Sequence, residues 1–201
     1  MVRFAVLGCG RIGRMHARNI KAHPRAELVS VYDVVGRAAE ETAAENGARV
    51  AGSVDEVLAD DAVEAVFIAS STDTHVDLLT RAAKAKKAIL CEKPIDLDIS
   101  RVDACWAEIG ALEPLVMLGF NRRFDPSFRS LRDRLEAGEI GRLEQVVITS
   151  RDPAPASAEY LKGSGGLFRD MTIHDFDMAR YLAGEIVEVH AIGANLVDPG
   201  I

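Results

Sequence analysis

Cysteine is scarce in this chain. Its three residues, Cys9, Cys91 and Cys105, are widely spaced and form no Cys-x-x-Cys pair. That spacing argues against a disulfide framework and against a zinc site, and it fits a reducing, cytoplasmic setting. Long hydrophobic runs are missing as well. The longest apolar stretches are strand-sized, which leaves no segment able to cross a bilayer as a helix. Nor is there an excess of positive charge. A net charge of −7 argues against nucleic acid or an anionic membrane as a partner. The first ten residues have one early arginine and a short apolar run but no small-residue cleavage site, so they read as a first strand rather than a secretion signal. What is present, 48% apolar and 27% charged residues in 201, suits a globular protein with one full domain and part of another.

The N-terminal pattern is strand, glycine turn, helix. Val2 to Leu7 is a buried-strand run, followed at once by Gly8-Cys9-Gly10-Arg11-Ile12-Gly13, and apolar residues then recur at helical spacing to about Ala22. Gly8 permits a tight turn, Gly10 lets the backbone approach a pyrophosphate, and Gly13 lets the helix press on the strand. The amides of the helix start at Arg11 and Ile12 then favour phosphate. A second strand, Leu28 to Tyr32, ends in Asp33, twenty residues after Gly13. A carboxylate there accepts hydrogen bonds from a ribose diol and repels the extra phosphate of NADP, which favours NAD.

Strands and helices go on alternating. The pattern predicts a helix from Gly36 to Asn46 stopped by Gly47, a short strand at 48–51, and a helix opened by the Ser53–Glu56 capping box. Further strands fall within 62–71 (apolar at 66–69), at 88–90 and at 115–120, with helices to about Lys86 and from Ile99 to Ala111. This is a doubly wound parallel sheet with right-handed crossovers. The first and fourth strands flank its switch point, so the glycine turn and the Ser70–His75 loop face one crevice. Ser71 and Thr72 lie on that loop. His75 stands either against the cofactor or as a capping group.

Two constellations carry chemistry. Cys91-Glu92-Lys93-Pro94 closes the strand after Ala88-Ile89-Leu90, at the edge where open α/β sheets bind ligands. Proline holds Lys93 on a stiff corner, where its ammonium can hydrogen-bond a substrate oxygen and favour negative charge there. Further on, Asp170 and His174 are four apart, which puts them on one face of a helix. A carboxylate beside an imidazole fixes its tautomer and raises its basicity, as removing an alcohol proton during hydride transfer requires. Taken singly, the first is also compatible with a solvated salt bridge and the second with an ordinary helical pair. Asp175 and Asp177 leave the face shared by Asp170 and His174, which argues against a metal. In the same region, 143–150 and 186–192 read as strands, and 126–137 reads as an amphipathic helix.

Together, Gly8-x-Gly10-x-x-Gly13, Glu92-Lys93-Pro94 and Asp170-x-x-x-His174 resemble the glucose–fructose oxidoreductase/inositol dehydrogenase (Gfo/Idh/MocA) family along the full chain. Ser71-Thr72-Asp73-Thr74-His75, Gly119 to Asp125 and Gly165 to Asp177 are similar to its bacterial inositol dehydrogenase branch. The fold the resemblance implies is α/β. An N-terminal Rossmann domain, residues 1–121, is followed by the start of an α+β open-sheet domain, residues 122–201, for substrate binding and subunit contact. Gly8, Gly10, Arg11, Ile12, Gly13, Asp33, Ser71, Thr72, His75, Glu92 and Lys93 would hold NAD. Lys93 would position the reacting hydroxyl, His174 would act as general base and Asp170 would orient it. Asn121, Arg123 and Asp152 would grip other hydroxyls of a cyclic polyol, with myo-inositol oxidised to its 2-keto form in a cleft between the domains.

Family members are longer and assemble through the second domain. Here the chain ends at Ile201, just after an expected strand, so the second sheet should be incomplete and this chain poorly active. A non-catalytic NAD- or sugar-sensing protein on the same fold is the other reading. The joint presence of Lys93 and the Asp–His pair counts against it, while the short chain counts for it.

Overall fold

The structure, a computed structural model, describes residues 1–154 and 156–195. Pro155 lies outside them. The chain divides between Gly119 and Phe120, two residues before the expected boundary.

In the N-terminal unit six strands form one parallel sheet: β1 (Val2–Leu7), β2 (Ala26–Tyr32), β3 (Arg49–Val50), β4 (Ala65–Ile68), β5 (Ala88–Cys91) and β6 (Val116–Leu118). Their order is β3-β2-β1-β4-β5-β6. The chain winds outward from β1 to β3, then returns to place β4 on the other side of β1. That reversal opens the crevice beyond the carboxyl ends of β1 and β4.

Successive residues of a strand face opposite sides of the sheet, so a strand buried on both faces must be apolar throughout. β4, Ala-Val-Phe-Ile, is buried at every position. Val66 and Ile68 enter one core with Ala5, Leu7, Leu79 and Ile109, while Phe67 enters the other with Val6, Ala17, Ile20 and Ala43. Helices α1 (Arg11–Ala22) and α2 (Gly36–Asn46) cover the Phe67 face; α3 (Val54–Ala59), α4 (His75–Lys84) and α5 (Ile99–Ile109) cover the other.

Local signals set the helix ends. Gly47 terminates α2 in the left-handed conformation at φ 72°. Ser53 caps α3 by accepting from Glu56 N, but the returning Glu56 carboxylate accepts from Gly52 N, one residue before the position a capping box assigns it.

The C-terminal unit contains α6 (Pro126–Glu136), α7 (Ala158–Ser164), α8 (Gly166–Asp170) and α9 (Ile173–Ala183). The strands expected at 143–150 and 186–192 are not formed among the described residues, and this corrects the sequence reading. An alternating pattern supplies a face, but a strand also needs a neighbour for its amides and carbonyls. Val147, Val187 and Ile192 stand 78%, 98% and 91% exposed. No helix among the described residues is long and apolar enough to cross a membrane.

Leu79 is fully buried at the centre of the larger core. Leu79→Ala is expected to lower unfolding free energy by about 2–5 kcal/mol, read as a reduced urea midpoint at unchanged slope.

Candidate active site

The turn after β1 is defined by backbone-on-backbone contact. Gly8 has φ +100°, and a Cβ there would stand 2.5 Å from Ser70 N. A Cβ on Gly13 would overlap the carbonyl oxygen of Gly8 outright. At Gly10, by contrast, a Cβ would meet nothing within 4 Å. The first and third glycines therefore build the turn, and the second borders open space.

Gly10 is the N-cap of α1, with no side-chain cap and no acidic residue in the first turn. The leading amides at Arg11 and Ile12 are thus left for an anion. The Arg14 side chain steadies the turn, donating from Nε to Cys9 O at 3.1 Å and from Nη2 to Glu41 at 2.8 Å. Cys9 turns inward, and burial pushes its thiol pKa up.

Beneath this turn lies a cavity of about 530 Å³. Gly8, Gly10, Asp33 and Ser71 line it, as expected from the sequence, with Ser70 and Thr74 of the loop expected to face it; Tyr32, Val34, Val54 and Asp77, which sequence reasoning missed, line it too. Val54 reaches it only because α3 packs beside β2, a placement without local signal. Asp33 sits at the mouth, its carboxylate accepting from Cys9 N at 2.6 Å and Val35 N at 2.7 Å. Two amides thus hold the charge where a ribose diol would meet it. The uncapped helix start, the space at Gly10 and the fixed carboxylate together fit a dinucleotide.

His75 is placed differently from the cofactor contact considered above. Its ring is 1% exposed, with Nδ1 2.8 Å from Pro94 O and Nε2 3.1 Å from Ser70 O. It ties the Ser70 loop to the lysine corner from behind. Thr72 begins a 3₁₀ turn and does not line the cavity. Lys93 and Glu92 follow β5 and are half-buried, on the same sheet edge as the glycine turn. Neighbouring Cys91 is no nucleophile: burial, with the Glu92 charge second, pushes its thiol pKa up to about 12.

In the C-terminal unit, Asp170 and His174 do not share one helix. Asp170 ends α8, Met171 and Thr172 turn the chain, and His174 lies in the first turn of α9. The one-helix expectation fails because Thr172 Oγ1 and the Met171 and Thr172 amides close back on Leu167 O. Both side chains remain half-buried. Asp170 accepts from Tyr160 OH at 2.9 Å, and Phe120 meets the His174 ring edge-on at 6.4 Å.

Arg123 is less available for substrate than expected. It donates to both oxygens of Asp177 at 2.7–3.0 Å and lies over Tyr181. That hydrogen bond raises its pKa. Asp175 is likewise engaged, by Arg122 and by Ser150 Oγ at 2.7 Å. Asn121 and Asp152 are exposed.

A doubly wound sheet entered through this turn, with a carboxylate closing its second strand, defines a dinucleotide-binding protein. Residues 2–120 match the oxidoreductase family with the NAD-binding Rossmann fold, and residues 128–200 match the GFO/IDH/MocA C-terminal domain. The chain belongs to the GFO/IDH/MocA oxidoreductase family, and NAD is the dinucleotide of that fold. It is 50% identical to the inositol 2-dehydrogenase of Rhizobium meliloti (strain 1021) over 100% of this chain and 61% of that protein. A myo-inositol dehydrogenase structure from Corynebacterium glutamicum superposes at TM-score 0.95 and 54% identity, covering 99% of this chain and 60% of that one. A scyllo-inositol dehydrogenase from Lactobacillus casei, solved with NAD(H) and scyllo-inositol, gives TM-score 0.80 at 34% identity over 92% and 56%. The chain thus spans about three fifths of the length of the curated relative.

The three glycines make a test. Gly10→Ala should leave thermal stability nearly unchanged yet weaken NADH binding at least about tenfold, because the added methyl occupies the pyrophosphate's approach. Gly13→Ala should lower stability as well, since neither backbone can move aside. Titrating NADH fluorescence beside a thermal melt separates the two.

Proposed function

We propose that this protein oxidises a secondary alcohol of a cyclic polyol, with myo-inositol the first candidate, by transferring its hydride to NAD. The carrying observation is the pairing, on one sheet edge, of the Asp33-closed dinucleotide cavity with the half-buried Lys93 corner. NAD, when bound, supplies the hydride acceptor. Lys93 donates a hydrogen bond to the reacting oxygen and favours negative charge as it develops. The imidazole of His174 takes the hydroxyl proton while the C–H electron pair leaves as hydride, giving a ketone and NADH. Asp170 orients that base and is itself held by Tyr160. Asp33 selects NAD over NADP through charge repulsion at the ribose.

Substrate recognition and subunit contact belong to the C-terminal unit in this reading. The exposed apolar residues at 146–148 and 187–192 support self-association into a homo-oligomer. Sedimentation is expected to give a mass above that of one chain, and Val187→Lys with Ile192→Lys should return it toward the monomer. A strictly monomeric parent chain would end the assembly part of the proposal.

The activity itself is tested by NADH formation from NAD with myo-inositol, and with scyllo-inositol in parallel. Lys93→Ala should lower turnover by roughly 10²–10⁴-fold while NADH affinity changes only a few-fold. NADH binding without turnover on either polyol would favour a sensing role instead.

A further inference from the structure

His16 lies just over one turn into α1 and takes no part in the chemistry above. Its ring stacks on Phe67 of β4, centroids 4.0 Å apart and planes 26° from parallel. Phe67 is 2% exposed, so the imidazole rests on a fixed platform. Nε2 then lies 3.3 Å from Glu92 Oε1, with the two side chains 25% and 20% exposed. The imidazole and the carboxylate are thus at ion-pair distance.

The Glu92 carboxylate is held from other directions too. Its second oxygen accepts from Lys93 N at 3.3 Å. Its own backbone amide donates to Ile68 O at 2.9 Å, keeping the residue in register with β4. Gly119 leaves room for it: a Cβ there would stand 2.8 Å from Glu92 Oε2. The carboxylate thus bridges an imidazole on the glycine-turn helix and the backbone amide of the lysine.

We propose that His16 is a positioning residue, acting through Glu92 to fix the Lys93 corner relative to the start of α1. The helix start sets where the dinucleotide's phosphates lie, and Lys93 sets where the reacting oxygen lies. The brace therefore fixes the spacing between hydride donor and acceptor, to which transfer rates are steeply sensitive. The cofactor part of this inference rests on the dehydrogenase reading; the brace itself does not.

The test separates stacking on Phe67 from the polar contact with Glu92. His16→Phe keeps a ring on Phe67 and removes the N–H, whereas His16→Gln offers a side-chain N–H again. In the cofactor-free chain, NMR amide exchange at Lys93 should speed up about tenfold in His16→Phe, as the carboxylate loses its polar partner, and recover substantially in His16→Gln. Glu92→Gln combined with His16→Phe should exchange no faster than the worse single variant. Gly119→Ala, which displaces the carboxylate without changing charge, should behave like His16→Phe. NADH affinity should fall several-fold in His16→Phe and return in His16→Gln. Unchanged Lys93 exchange in His16→Phe, or additive effects in the double variant, would overturn the brace. If the parent chain binds no NADH, the cofactor reading falls, and amide exchange still decides the brace.

Discussion

The approach of two backbones at the sheet's switch point is the constraint on which the rest depends. Gly8 lies against Ala69 and Ser70, and Gly13 against Gly8 O, at distances that no side chain permits. That contact lets α1 begin directly over the end of β1. With no cap and no acid in its first turn, the helix presents unpaired amides to the crevice. The cavity, the position of Asp33 and the register of the Ser70 loop all follow from it. A methyl group at either glycine would push the helix off the strand, and the phosphate site would go with it.

Around this turn the protein fixes polar side chains largely through backbone groups. Asp33 is held by two amides, and His75 spans two carbonyls. Glu92 is held by an imidazole, an amide and the space that Gly119 leaves. Bonds to backbone are tied to the sheet's own register, so they place a side chain more firmly than a pair of long exposed chains can. The C-terminal unit instead relies on ion pairs, with Arg122 on Asp175 and Arg123 on Asp177. Those partnerships take two aspartates and two arginines out of the pool of groups free for substrate.

Much of the N-terminal unit was legible because its signals are local. Glycine at 8, 10 and 13, the stop at Gly47 and the Ser53 cap each act within a few residues, and the structure has them in place. The all-apolar β4 announces burial on both faces. The C-terminal unit was less legible for the same reason. The alternation at 143–150 and 186–192 describes a face without naming a partner, and no strand forms there among the described residues. The spacing of Asp170 and His174 suggested one helix, but hydrogen bonds closing on Leu167 O interrupt it.

The sequence by itself determined the class of fold and the dinucleotide turn with its carboxylate. Each of these is written in residue type and short spacing, where sterics and hydrogen-bond reach leave little choice. Only the tertiary structure decided that His75 sits behind the crevice and that His16 meets Glu92. It alone committed Arg123 to Asp177 and brought Val54 and Asp77 to the cavity wall. Those outcomes depend on which strand lies beside which and on how far each helix is pressed inward. Packing between distant segments settles such matters, and no short window of sequence contains it.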